Sequence, residues 1–212
     1  MLVVSFVDEC SSTQEDLIAS LRLGVITPPY TLVASRQTKG VGSRGNRWES
    51  MDGNLYFSFC IDSSSLTSDL PSSSASIYFA FLMNEYLKSC GSKIWLKWPN
   101  DFYLDDKKIG GVITTKIKSV YICGMGINLK TSPRYSNVLD IDHGATQIVD
   151  GFLKSLELNP SWKQIFSKYL LEFEKSKIFS AHVDGELMSL ENSVLLDDGS
   201  IIINNKKVYS LR

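Results

Sequence analysis

Residues 37–48 read QTKGVGSRGNRW, with three glycines, three cations and no acid. Gly40, Gly42 and Gly45 fall into the pattern G-x-G-x-x-G. If that pattern is a dinucleotide fingerprint, the fold is a doubly wound parallel sheet. The fingerprint needs a helix directly after its glycines, because the pyrophosphate rests on that helix's N-terminus. Here the glycines lead into NRWESMDGNLYFSF, where Asn46, Gly53 and Asn54 interrupt any helical stripe and a strand follows. Asp62 lies near the offset of a ribose-binding acid, but one acid at that distance is a frequent coincidence. The dinucleotide reading is therefore rejected. What remains is a glycine-rich loop carrying Lys39, Arg44 and Arg47, with Arg36 just before it. Glycine amides can approach an anion closely and cations complement it. Standing alone, the loop reads better as a solvated basic surface.

The flanks of this loop set the fold class. LVVSFV reads as a first strand. SSTQEDLIASLRLG follows as a helix, with capping-box spacing at Ser12 and Glu15, a stripe of Leu17, Ile18 and Leu21, and a stop at Gly24. YTLVAS and NLYFSFCI are strands on either side of the loop. Ser63–Ser76 is serine-rich and reads as a mobile connection. ASIYFAFLMNEYLKSCG reads as a buried helix and KIWLKW as a strand stopped by PND. FYL-DDKK-IGGVITTKI reads as a hairpin with a polar turn, and SVYICGMGINL as a strand broken by Gly124 and Gly126. Two helices come next, the second opened by an Asn159-Pro160 cap. SVLLDDGSIIINNKKVYSL supplies short strands around Asp-Gly and Asn-Asn turns. Hairpins without regular βαβ alternation predict an α+β fold with a central mixed or antiparallel sheet flanked by helices. The expected division is a domain over 1–180 and a short β appendage over 181–212.

The 212 residues suffice for a core without disulfide or metal staples. A net charge of −1 means that no global field draws the chain to DNA or to an anionic membrane, so any anion site must be local. The four cysteines, Cys10, Cys60, Cys90 and Cys123, form no C-x-x-C motif and read as buried free thiols. No signal peptide and no membrane span are expected, which points to a cytoplasmic, enzyme-sized protein.

Four blocks then occur in a fixed order: SSTQ at Ser11–Gln14, the loop QTKGVGSRGNRW, KWPND at Lys97–Asp101 with KKIGGVI at Lys107–Ile113, and GMGINL at Gly124–Leu129. In these blocks the chain resembles the biotin protein ligases, the biotin–[acetyl-CoA carboxylase] ligases, over roughly residues 5–130. The resemblance implies a fold of the biotin/lipoate ligase and class II aminoacyl-tRNA synthetase type, with the C-terminal appendage a truncated SH3-like barrel. It implies that the substrates are biotin and ATP with Mg²⁺. Biotinyl-5′-AMP forms first, and biotin then passes to a lysine of the biotin carboxyl carrier protein of acetyl-CoA carboxylase and of other biotin-dependent carboxylases. Such chemistry brings an anionic nucleophile to a polyanion and then protects a hydrolysable anhydride. It therefore needs positioning, charge neutralisation and a closing loop.

The resemblance also implies roles residue by residue. Ser12, Thr13 and Gln14 match the segment holding the biotin ureido ring, although Ser12 also reads as a plain helix N-cap. Gln37 matches a biotin-contacting position, and Trp48 an aromatic packed on ligand or loop, with a core tryptophan the other reading. Lys108 matches the essential lysine that reaches the biotin carboxylate and the phosphate, against a solvated hairpin-turn lysine. Gly110 and Gly111 offer bare backbone to a flat ligand. Asp101 is placed to support Mg²⁺ or to fix the lysine, and Asn128 to lie near adenine and ribose. Gly40, Val41, Gly42, Ser43 and Arg44 match the adenylate-binding loop. There the family writes G-R-G-R, so Val41 and Ser43 replace two arginines, and Arg44 is the candidate catalytic substitute beside Lys108 and Asp101. The catalytic core begins at about residue 3, so a ligase without a helix-turn-helix repressor module is expected: a monomer or weak dimer that binds neither DNA nor membrane. A lipoate–protein ligase and a non-catalytic biotin-binding module are the two alternative readings.

Overall fold

In the computed structural model, which describes residues 3–183 and 185–209, seven strands form one sheet. They are β1 (Val3–Cys10), β2 (Tyr30–Gln37), β3 (Leu55–Asp62), β4 (Trp95–Lys97), β5 (Asp101–Leu104), β6 (Lys107–Ile117) and β7 (Val120–Ile127), in the order β1-β2-β3-β7-β6-β5-β4. β1 and β2 run parallel, joined by helix α1 (Thr13–Arg22), because a parallel pair needs a crossover. Every other neighbouring pair is antiparallel. The expected mixed sheet of an α+β fold is found.

The two faces of the sheet differ. One carries Phe57, Phe59, Val112, Cys123 and Met125, all buried in the main core beneath helix α2 (Ala75–Ser89). Helices α3 (Ala145–Glu157) and α4 (Trp162–Phe173) add Phe152, Tyr169 and Phe173 to the same core. Having partners all round explains why α2 is buried on every side from Ala75 to Asn84, while Glu85 and Lys88 form ion pairs in its last turns. Phe59 meets Phe79 and Phe152 at centroid distances of 5.1 and 5.3 Å. On the opposite face α1 covers only one end, where Leu17 packs with Cys60 and Ile122. α1 leaves the middle of that face, along β6 and β7, lining a cavity.

Several local expectations change. β7 is continuous through Gly124 and Gly126, because its ladder to β3 and β6 supplies the pairing whatever the side chains. The hairpin turn is only Asp105-Asp106, with Asp105 at φ 50°, so Lys107 and Lys108 already belong to β6. A bulge follows: Tyr103 faces Lys108 and Phe102 faces Gly110, leaving Ile109 as the extra residue. Helix α4 is capped by Ser161 in a full capping box with Gln164. Asn159 instead takes φ 46° and accepts from Thr67 N at 2.9 Å. The serine-rich connection is tied down: Asp62 caps Ser64, and the Asp69 carboxylate accepts from Trp162 N and Lys163 N.

The C-terminal part forms a hairpin of β8 (Ser180–Val183) and β9 (Glu186–Ser189), and a three-stranded sheet of β10 (Val194–Leu195), β11 (Ile201–Ile203) and β12 (Lys206–Val208). Asn204 and Asn205 at φ 46° and 61° make the positive-φ turn that suits a two-residue hairpin. Ala181, Val183, Ile201, Ile203 and Val208 share one core with Phe57 and Trp98. Trp98, fully buried, donates its Nε1–H to Gly199 O at 3.0 Å, and its backbone N–H to Ser176 Oγ at 3.0 Å. No helix among the described residues is long and apolar enough to cross a membrane.

Ser176 is wholly buried and its hydroxyl is the acceptor for Trp98 N–H. Ser176→Ala strands that N–H away from water. The expected result is a loss of about 1–3 kcal/mol in unfolding free energy, read from the urea midpoint at unchanged slope.

Candidate active site

The uncovered face of the sheet holds a cavity of about 330 Å³. Its floor follows from register. Residues directly opposite in neighbouring strands point to the same side. Gly126 faces Gly111 on β6, and Gly124 lies between Ser58 on β3 and Ile113 on β6. Three of these five positions are bare, which makes a trough along β6 and β7. Side chains could not be added cheaply. A Cβ on Gly126 would lie 2.7 Å from the Trp48 ring, and one on Gly124 would lie 2.8 Å from Gln14 Oε1 and 3.0 Å from Ser58 Oγ.

One end of the trough is lined by the start of α1. Ser12 caps the helix, its Oγ accepting from Glu15 N at 3.5 Å. Thr13 and Gln14 lie behind it, each nine-tenths or more buried. Gln37 at the end of β2 fixes them, because its Oε1 accepts from both Thr13 N at 2.8 Å and Thr13 Oγ1–H at 3.1 Å. Its Nε2 donates to Ser50 Oγ at 3.2 Å, so the carboxamide has one orientation. Gln14 Nε2 donates to Ile122 O at 3.1 Å, while Gln14 Oε1 is buried with no partner.

The other end carries charge. Lys108 Nζ pairs with Asp101 Oδ1 at 2.6 Å and lies 5.6 Å from the centroid of the Trp48 ring. Gly111 makes room, since a Cβ there would stand 3.2 Å from Asp101 Oδ1 and 3.5 Å from Lys108 Nζ. Trp48 Nε1 is buried without an acceptor. Asn128, buried at the end of β7, donates its Nδ2–H to Asn137 O at 3.1 Å. Its segment is held by Asn54, whose Oδ1 accepts from Leu129 N, Lys130 N and Thr131 N.

The glycine loop crosses the mouth. Val41 and Arg47 form an antiparallel bridge, Gly42 N donates to Asn46 O at 2.7 Å, and Ser43–Gly45 make one 3-10 turn. Gly40 sits where a Cβ would meet Trp48 O at 2.6 Å, and Trp48 N donates to Gly40 O at 2.8 Å. The loop is thus a small hairpin pinned at its base. The side chain of Arg44 lies outside what the structure describes.

Of the residues singled out from sequence, Ser12, Thr13, Gln14, Gln37, Val41, Gly42, Ser43, Trp48, Asp101, Lys108, Gly111 and Asn128 line this cavity. Gly40 closes the loop base instead. Gly110 turns its bare side to Phe102 and Gly126 O, outside the cavity wall, because strand residues alternate in direction. Sequence reasoning passed over Ser58 and Asn100. Asn100 fastens β6 by accepting from Val112 N at 2.9 Å and donating to Val112 O. Only the register of β3 against β7 reveals Ser58. Cys10, paired with Gln37 across β1 and β2, has its thiol pushed up to about 11 by burial and then by Asp16, which disfavours the thiolate. Among the described residues no cluster of His, Cys, Asp and Glu could hold a metal by itself.

Comparison with known proteins bears on this site. Residues 7–132 match the Biotin/lipoate A/B protein ligase family. The biotin acetyl coenzyme A carboxylase synthetase from Helicobacter pylori, solved with bound biotinylated ATP, is 42% identical with a TM-score of 0.95. That match covers 99% of this chain and 100% of the other. The biotin protein ligase from Aquifex aeolicus in complex with biotin and ATP shares the fold at a TM-score of 0.73 and 24% identity, over 99% of this chain and 96% of that one. The bifunctional ligase/repressor BirA of Escherichia coli (strain K12) is 31% identical over 115 residues, 51% of this chain. The chain matches only 35% of that relative's length. The family match nevertheless spans more than half of the chain and takes in all four motif blocks and the whole trough, so the chain belongs to the Biotin/lipoate A/B protein ligase family.

Proposed function

We propose that this chain is a biotin–protein ligase that activates biotin with MgATP and passes it to a lysine of a biotin carboxyl carrier protein. The observation that carries the proposal is the polarity of the trough. Unpaired acceptor character lies at the α1 end, bare backbone at Gly124, Gly126 and Gly111 in the middle, and the Lys108 ammonium at the far end. A molecule with an N–H-bearing ring, a flat middle and a carboxylate tail fits that sequence of chemistries. The Helicobacter pylori relative with its bound biotinylated ATP supports the same reading.

In the first step a biotin carboxylate oxygen bonds to the α-phosphorus of ATP, and the bond to the pyrophosphate oxygen breaks. Both reactants are anionic, so the chain's contribution is charge and placement. Lys108, held by Asp101 and set beside Trp48, meets the carboxylate and the phosphate. Mg²⁺ enters with ATP as part of the substrate, where it would offset phosphate charge. The loop 40–48 lies across the mouth and shields the anhydride from water. In the second step a carrier lysine amine bonds to the acyl carbon, AMP leaves, and the amine gives up a proton. Arg44 is the loop cation assigned to the phosphate where Val41 and Ser43 carry none.

Pyrophosphate release on adding MgATP with biotin, and its absence with lipoate, tests the reading; the reverse pattern overturns it. Lys108→Ala is expected to slow adenylate formation by ~10²-fold or more at saturating biotin and MgATP, the scale for removing a preorganised charge at a reacting centre. Thermal unfolding should hardly change, because a partly exposed ion pair contributes little to stability.

Ser43 supplies a second measurement. An arginine gives phosphate charge-assisted, often bidentate bonds, and a serine hydroxyl cannot. Ser43→Arg should slow the loss of biotinyl-AMP by an amount worth roughly 1–2 kcal/mol, read from the dissociation rate.

A further inference from the structure

We infer that Asn137 and Asn128 are positioning residues for Lys108: together they brace the bulge in β6 that turns the lysine toward the trough. The inference rests on the biotin reading above and deepens it, by assigning how the charge that meets the substrate carboxylate is aimed.

A bulge takes backbone groups out of the regular ladder. Along an ordinary antiparallel strand, successive carbonyls point to opposite neighbours. In β6 two successive carbonyls accept instead from one stretch, the chain that follows β7. Ile109 O accepts from Asn128 N at 2.7 Å, and Lys108 O accepts from Asn137 N at 3.1 Å. The first bond continues the ladder beyond the pair Gly110 and Ile127. The second falls where the extra residue, Ile109, breaks the alternation. Asn137 thus supplies the partner for the carbonyl that the bulge turns away from β5.

Asn128 brings residue 137 to that place. Its Nδ2–H donates to Asn137 O at 3.1 Å, and its own carbonyl accepts from Leu139 N at 2.8 Å. Leu139 is buried in the main core, which anchors the returning chain. The Asn137 side chain is used locally, its Oδ1 accepting from Val138 N at 3.0 Å. Its backbone N–H is therefore the group that acts on β6. The stretch is a wall of the cavity as well as a brace, because Pro133 and Ser136 line the cavity with Lys108 and Asn128. Without the bulge, residues 108 and 110 would share a face, the side on which Gly110 meets Phe102. Holding the bulged register keeps the ammonium beside Asp101, 2.6 Å away. That task is separate from any contact of Asn128 with a nucleotide.

The test is calorimetric binding without ATP, using biotin and biotinol, in which CH2OH replaces the carboxylate. Wild type is expected to prefer biotin by ~tenfold or more, the scale of one hydrogen bond to a charged group, and Lys108→Ala to lose that preference. Asn137→Pro removes the N–H and should bring the two probes to within about threefold of each other, with biotinol binding unchanged. Asn137→Ala keeps the N–H and should keep the preference. Adding Asn137→Pro to Lys108→Ala should change neither affinity further, because a residue that acts through Lys108 then has nothing to act on. Full preference in Asn137→Pro overturns the inference and leaves the biotin reading intact. So does an equal weakening of both probes, the mark of a merely structural role. If Asn137→Pro fails to fold, Asn128→Ala decides by the same comparison, and an unchanged preference there overturns the inference. Lys108→Ala that keeps the wild-type preference overturns both the inference and the role given to Lys108 in the reading beneath it.

Discussion

Everything at this site depends on β6 and β7 being dense on one face and bare on the other. The same strands that bury Val112, Cys123 and Met125 under α2 present Gly111, Gly124 and Gly126 to the opposite side. Glycine weakens a strand by entropy and by missing contacts, roughly 0.5–1 kcal/mol at each position. The sheet bears that cost because its ladder is complete on both sides of β7 and because aromatic packing against α2 and α3 is dense. Core quality and trough emptiness are therefore one design, set by the period of two along each strand.

The second constraint is the Gln37 carboxamide. It ties the end of β2 to the start of α1 through Thr13, and to the segment after the glycine loop through Ser50. A closure of the loop and the position of the α1 polar groups are thus connected by one side chain. Asn54 does the same at the far end, where one oxygen gathers three backbone N–H groups and holds the segment after Asn128. Both are amides rather than charges. That suits a site whose ligand and nucleotide bring the charge themselves.

Much of this was legible in the sequence. Strand and helix order followed from periodicity, and rejecting a helix after Gly45 removed the parallel doubly wound fold. Gly124 and Gly126 suggest a broken strand, yet β7 is continuous, because composition hides pairing: a strand with partners on both sides does not need its own side chains to persist. The α4 cap moved from Asn159 to Ser161 because a reciprocal pair with Gln164 competes better than a lone Asn before Pro. Serine-rich residues 63–76 were held by carboxylates, Asp62 and Asp69, whose partners lie far off in sequence or across a turn. Ser58 was invisible for a related reason, since its place on the trough exists only through the register of β3 against β7.

The position of Lys108 shows how far a local irregularity can decide chemistry. In an unbroken β6, residues 108 and 110 would share a face, and Gly110 faces Phe102 on the core side. The extra residue at Ile109 changes that parity. Ile109 takes the core direction, fully buried, and Lys108 turns to the side of Asp101 and Gly111. Bulges beside active sites commonly re-aim a side chain in this way. The bare Gly111 then admits the ammonium and its carboxylate together at 2.6 Å. The spacing of lysine, one intervening residue and two glycines thus has a mechanical meaning here. The intervening Ile109 supplies the parity change, Gly110 lets the strand pass Phe102 closely, and Gly111 opens the floor beneath the charge.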